Sequence, residues 1–260
     1  LTVWGVPCRG RLWSLHERRT TCGRREAAKT GRWASQEGTL SVVATTWRNW
    51  AGNQVARPAE WHSPRNEADV VALVRRAQRE GRQIRVVGSG HSFTPVAVAE
   101  DLLVDLSALS TVGDVDPLTG EVEIGAGITI AALNDELAKQ GRALANLGDI
   151  AYQSIAGAIS TSTHGTGIGL TGIAGQLTAL SLVIANGDVR RLDDAQDPAV
   201  FRAARVSVGT LGVITSVRLR TVPAFNLVAR EEPMKVDTIV DRLDEFVTQN
   251  DHFEFFWIPH

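Results

Sequence analysis

Five consecutive residues, Gly88-Ser89-Gly90-His91-Ser92, combine backbone freedom with a nucleophile. Two glycines let the main chain approach a ligand closely and turn N–H groups toward an anion such as a pyrophosphate. The neutral imidazole of His91 can attack an electrophilic carbon. Taken alone, the run reads better as a strand-ending turn with a solvent histidine. A second run extends from Ser154-Ile155-Ala156-Gly157-Ala158 to Thr163-His164-Gly165-Thr166-Gly167. It is poor in charge and rich in small side chains and hydroxyls. Such a stretch suits a flat cofactor with a diphosphate against backbone, or a tightly packed helix and turn. The first run is not a Rossmann fingerprint, because Phe93 stands at the third glycine position and no helical pattern follows directly.

Other chemistries are less well supported. Gly23 to Thr30 ends in Lys29-Thr30, but Ala28 stands where a phosphate-binding P-loop needs glycine. Ser154, His164 and Asp149 could be drawn as a hydrolase triad, yet no G-x-S-x-G elbow presents the serine. Cys8, His16 and Cys22 lack the C-x-x-C spacing of a metal site, so no metal is expected. His252 and His260 are eight residues apart, which is also not ligand spacing. No cysteine follows Cys22, so the body has neither a disulfide nor a thiolate catalyst, which fits a reducing cytoplasm.

These groups need elements to hold them. Apolar residues Val70, Val71, Leu73, Val74 and Ala77 mark one face of a helix from Glu67 to Glu80, stopped by Gly81. Ile84 to Val87 reads as a strand leading into the first glycine run, and Leu102 to Leu106 as another. Glu121 to Ile124 alternates as a strand. Thr129 caps a helix carrying Leu133 and Leu137 and closed by Gly141. Asn186-Gly187 between Leu177–Ala185 and Val189–Leu192 is a hairpin signal. A helix follows near Pro198 to Arg205, then a strand from Val213 to Leu219 ended by Pro223. Asp237 is placed to cap one last helix through Val247. The aromatic run His252 to Ile258 reads as a strand without a following partner, as expected of a chain that continues in a longer parent.

The 260 residues are 43% hydrophobic and 22% charged, enough for a real core. Net charge is −2, which leaves no global basic field for nucleic acid. The charge is uneven: residues 1–45 hold seven Arg and Lys29 against Glu17, Glu26 and Glu37. That leader has no clear periodicity and no apolar signal core, and is expected to be an unstructured extension or translation from a wrong start. A transit peptide is disfavoured by its three glutamates. No apolar run nears the ~18 residues of a membrane span.

Taken together, three segments resemble the vanillyl-alcohol-oxidase superfamily, with its PCMH-type FAD-binding domain. Val86-Val87-Gly88-Ser89-Gly90-His91-Ser92-Phe93 is similar to the flavin-attachment loop. Gly148-Asp149 and Ser154 to Gly167 resemble the second FAD segment, and Ser207-Val208-Gly209-Thr210-Leu211-Gly212-Val213-Ile214-Thr215 the third. The order and separations are family-like from Trp47 to His260. His252-Phe253-Glu254-Phe255-Phe256 resembles the opening of a substrate domain in sugar-lactone oxidoreductases, the L-gulono- and D-arabinono-1,4-lactone branch, with alditol oxidases nearby.

The resemblance implies an α+β fold: a two-lobed FAD-binding domain over 46–225, then the truncated start of a substrate (cap) domain over 226–260. The first lobe would run to about Leu109 and the second to about Pro223. FAD would lie between them, its diphosphate held by backbone N–H groups of both glycine segments. The implied FAD contacts are Val87, Gly88, Ser89, Gly90, His91, Ser92, Asp149, Ser154, Gly157, Ala158, Ser160, Thr163, His164, Gly165 and Ile214. His91 aligns with the histidine that bonds covalently to the flavin 8α carbon, and a second link through cysteine is unavailable. The implied reaction takes hydride from a CH–OH carbon of a lactone or polyol to flavin N5, with reoxidation by oxygen or another acceptor. Asp149 aligns near a serine that faces substrate in alditol oxidases, a departure from that pattern. No other catalytic residue can be named from these positions. An FAD-binding fragment without turnover is the alternative.

Overall fold

The computed structural model describes residues 2–5 and 46–259. The leader's Cys8, His16, Cys22 and Gly23–Thr30, and the terminal His260, lie outside the described residues. Within the leader the backbone of Thr2–Gly5 forms a strand, β1, where no strand was expected. Its register is set by strands from the far end of the chain.

The first layer is built from residues 47 to 105. A short hairpin, β2 (Trp47–Arg48) and β3 (Val55–Ala56), precedes β4 (Glu60–His62). Helix α1 spans Glu67–Glu80. The Asn66 side chain accepts from the Asp69 N–H at its start, and Gly81 ends it in the left-handed region. Its apolar stripe Val70, Leu73, Val74 and Ala77 is buried, as the periodicity predicts. β5 (Ile84–Val87) and β6 (Leu102–Asp105) then complete a three-stranded parallel sheet in the order β4-β6-β5. Leu102, Leu103 and Val104 of the central strand are buried on both faces, the usual fate of a strand covered from two sides.

The second layer is antiparallel. β7 (Glu121–Gly125) leads to α2 (Ile130–Lys139), capped by the Thr129 hydroxyl, then β8 (Arg142–Ala143) and the short helix α3 (Ile155–Ser160). β9 (Leu177–Val183) and β10 (Val189–Asp193) form the expected hairpin, with Gly187 at φ +79°. α4 covers Pro198–Arg205, and β11 covers Val213–Arg220. The sheet order is β10-β9-β11-β7. Along β11, Val217 and Leu219 are buried while Arg218 and Arg220 are exposed. The two arginines stand opposite Glu123 and Glu121 in register, so each charge meets its opposite across the ladder. Pro223 does not simply end this strand: Val222–Pro223 is a further strand, β12, paired with β8.

One core serves both layers. Val70, Leu73, Leu102 and Val104 from the first sit in the same buried cluster as Ile124, Leu133, Leu180, Phe201 and Val217 from the second. Glu67 in the first turn of α1 ties them at the surface. It takes both guanidinium N–H groups of Arg191 at 2.8 and 2.9 Å and the Thr215 hydroxyl at 2.6 Å. Arg191 first, then Thr215, holds the Glu67 carboxyl below its usual range. Between β6 and β7 the chain makes an exposed turn, where Asp116 accepts from Leu118 and Thr119 and the Leu118 side chain is 94% exposed.

Beyond β12 lie β13 (Arg230–Glu232), α5 (Val236–Asp241), α6 (Leu243–Gln249) and β14 (Phe253–Phe256). The one helix expected after Asp237 is two. Arg242 leaves helical geometry at φ −114°, ψ 19°, and its guanidinium pairs with Glu245 and lies over Phe246. Lys235, not Asp237, occupies the N-terminal boundary. β1 lies between β13 and β14, antiparallel to both. Among the described residues no helix is long and apolar enough to cross a membrane.

Candidate functional site

A cavity of about 620 Å³ opens at the seam between the two layers, within the usual range for small-molecule sites. The end of β5 delivers Val87 and the glycine run to one wall. The start of α3 and the 208–214 turn form the facing walls.

The two glycine runs meet at one point. A Cβ on Gly88 would lie 2.3 Å from the Ser154 Oγ, so glycine lets the loop pass over the start of α3 without displacing that hydroxyl. Gly90 adopts φ +72° against Trp47 and Asn49. Among the described residues, the N–H groups of Ser89, Gly90, His91 and Ser92 donate to no other protein group. The start of α3 differs. Ile155 N–H donates to Ile128, Ala156 N–H to Ala126, and Gly157 N–H to the Ser154 side chain. At the cavity, then, the first run leaves its donors free while the first turn of α3 spends its own on holding the helix in place. The N–H groups of His164, Gly165, Thr166 and Gly167, later in the second run, also make no bond among the described residues but lie off the cavity lining.

Val87, Gly88, Ser89, Gly90, His91, Ser92, Ser154, Gly157, Ser160 and Ile214 line the cavity. Ala158 faces the core instead, fully buried. Asp149, Thr163, His164 and Gly165 lie outside the cavity lining, toward β14. There the Thr166 carbonyl and hydroxyl are 3.1 and 3.2 Å from His252 Nδ1. Burial, then the nearby Asp149 charge, pushes the Glu254 carboxyl up. Gly165 is required for packing: a Cβ there would lie 2.0 Å from the Leu147 carbonyl oxygen. The Asn146 side chain gathers this loop by donating to Thr166 and Thr171 carbonyls, and Gln176 donates to the Asn146 carbonyl. The hydrolase triad is not assembled. Ser154 is buried as the α3 cap, and His164 is exposed with Nδ1 3.0 Å from the Gly165 carbonyl oxygen.

Two features could not be seen in the sequence. Gln153 lines the cavity with its side-chain oxygen buried and, among the described residues, without a partner, an acceptor waiting for a donor. Val208, also in the lining, holds φ +51°, an outlier for a β-branched residue.

The pattern of the FAD binding domain family matches residues 58–193. The chain belongs to this FAD binding domain family. FAD is thus its cofactor, and the cavity fits it. Free backbone donors at 89–92 suit a diphosphate, the glycine crossing admits close approach, and the Gln153 oxygen awaits a hydroxyl or N–H. Residues 217–260 match a second family, D-arabinono-1,4-lactone oxidase. The chain is 42% identical over 218 residues to L-gulono-1,4-lactone dehydrogenase of Mycobacterium tuberculosis, covering 84% of this chain and 50% of the relative. It is 38% identical over 218 residues to D-arabinono-1,4-lactone oxidase of Eremothecium gossypii, covering 82% and 41%. The chain spans about half the length or less of these curated relatives. Among solved structures it is similar to cholesterol oxidase from Brevibacterium sterolicum, with TM-score 0.61, 26% identity, and coverage of 69% of this chain and 37% of that one. The two-lobed α+β expectation is met by this fold.

Proposed function

We propose that this chain is the FAD-binding part of an oxidoreductase that oxidises a CH–OH group of an aldono-1,4-lactone of the L-gulono or D-arabinono type. The observation that carries the reading is the similarity to lactone-oxidising relatives through both the flavin segment and the 217–260 segment. In this reading residues 46–225 bind FAD and 226–260 open the substrate domain.

Bound FAD supplies a hydride acceptor at N5 in this chemistry. The chain's own residues bind and orient it. Ser89, Gly90, His91 and Ser92 present backbone donors to the diphosphate. Gly157 and Ser160 line the facing wall, and Ile214 of β11 adds to the lining. His91 is the attachment residue for the 8α carbon. Asp149, Thr163, His164 and Gly165 belong to the side that faces β14 and substrate. The substrate is a sugar lactone, with a related polyol as the neighbouring class, and oxygen or another acceptor reoxidises the flavin. The site of action is the cytoplasm.

The test has two stages. The protein is purified with FAD and precipitated in acid, and flavin fluorescence is sought in the polypeptide band and in the supernatant. L-Gulono- and D-arabinono-1,4-lactone are then supplied with an artificial electron acceptor. Flavin in the band and lactone-dependent reduction support the full reading. Flavin in the supernatant removes the covalent role of His91. Flavin without turnover limits this stretch to cofactor binding.

A further inference from the structure

The loop that carries His91 is held by the hairpin β2–β3. The Trp50 N–H donates to the Gly90 carbonyl at 2.8 Å. The Asn49 side chain donates to the Ser92 carbonyl at 2.9 Å, and the side chains of Asn53 and Gln54 each donate to the Phe93 carbonyl at 3.0 Å. Four bonds from one short turn thus fix the backbone on both sides of His91. They say nothing about where its ring points.

The ring is set by a different contact. Among the described residues neither imidazole nitrogen of His91 has a hydrogen-bond partner. The Trp50 indole stacks on it with centroids 5.7 Å apart and planes 30° apart. Phe93 makes a T-shaped contact with the indole at 6.5 Å. Trp50 is 71% exposed at the hairpin tip, so it adds little to any core. Its indole instead lies against the imidazole of a residue that lines the cavity.

We propose that Trp50 is a positioning residue for His91: its indole orients the imidazole for attachment to the flavin. This rests on the covalent role assigned to His91 above. In that attachment a ring nitrogen of neutral His91 bonds to the 8α carbon. One proton leaves the imidazole nitrogen and one leaves that carbon. The electron pair of the broken C–H bond reduces the flavin ring, and molecular oxygen, reduced to hydrogen peroxide, restores it. Trp50 changes none of these bonds. It limits the orientations from which the nitrogen can attack, which is where a stacked pair acts on a rate.

The experiment follows attachment over time. Flavin-free protein is mixed with FAD in air, samples are precipitated in acid, and flavin in the washed polypeptide is measured. Wild type, Trp50→Ala and Trp50→Phe are compared, with FAD affinity taken from the first minutes before attachment. The expected result is an attachment rate about tenfold lower in Trp50→Ala, with affinity within about twofold of wild type and recovery in Trp50→Phe, which keeps a stacking ring. Equal rates in wild type and Trp50→Ala overturn the proposal and leave the His91 role intact. Loss of affinity in step with rate also overturns it, because Trp50 is then part of the cradle's structure. Failure of Trp50→Phe to recover overturns it as well. If wild type releases all its flavin, the covalent role of His91 falls first, and this inference falls with it.

Discussion

The two glycine runs look alike in sequence and do different work. Among the described residues the backbone donors at 89–92 are free, and the glycines let the loop skim past Ser154. At 154–167 the donors of the first helical turn are consumed by Ile128, Ala126 and Ser154, and Gly165 sits where the Leu147 carbonyl leaves no room for a side chain. At the cavity wall the first run leaves its donors unspent, and the start of the second turns them onto its own chain. Small residues at a cofactor site therefore have two physical meanings. Hydrogen-bond accounting separates them where composition does not.

The largest expected effect breaks the second run. Gly165→Ala forces a Cβ against the fixed backbone of Leu147, which cannot rotate away. We expect a loss of stability on the order of 3 kcal/mol, read as a lowered midpoint in urea unfolding. Gly88→Ala is the counterpart. The obstructing atom is the Ser154 hydroxyl, which can turn, so stability changes by about 1 kcal/mol or less while FAD affinity falls at least about tenfold, measured by flavin fluorescence quenching. If both variants lose stability equally, the contrast between the runs fails.

The third prediction uses pH to probe the layer beneath the first run. Glu60 on β4 takes Arg82 and Arg76 as hydrogen-bond donors and lies 2.8 Å from His62. Arg82 foremost, with Arg76 and His62 helping against the cost of burial, lowers its carboxyl to about 2 from the usual 4.5. A lowered folded-state pKa means that the stabilisation is complete above 4.5 and is lost as pH falls toward 2. Urea midpoints should fall across that window, and Glu60→Gln should flatten the dependence. The smallest effect concerns the strained turn. Val208→Gly relieves a positive φ at the cost of a more flexible unfolded chain, and we expect a net gain of about 1 kcal/mol in thermal unfolding.

Legibility followed locality. α1 could be read from Glu67 to Glu80 because its stripe, its cap and its stop all lie within the segment. The β9–β10 hairpin was equally plain, since Asn186-Gly187 names its own turn. By contrast, β4 is three residues, Glu60-Trp61-His62, that become a strand only through pairing with Leu102–Val104. The break at Arg242 was hidden because its neighbours keep a helical pattern. At the site, the first run pointed to a ligand only in company with the other two family-like segments, and the clamp from Asn49, Trp50, Asn53 and Gln54 gave no signal at all. Its bonds end on backbone carbonyls about forty residues away, where side-chain identity carries no signal. The same holds for Gln153, whose importance is the partner it lacks.

The shared core has a mechanical consequence. The exposed turn around Leu118 divides the chain between β6 and β7, yet the buried cluster spans that division and Glu67 bridges it. A protease that cuts the turn severs the polypeptide without parting the molecule. The two pieces should travel as one particle on a sizing column and come apart only in denaturant. Expressed separately, each would leave half of an apolar interior facing water.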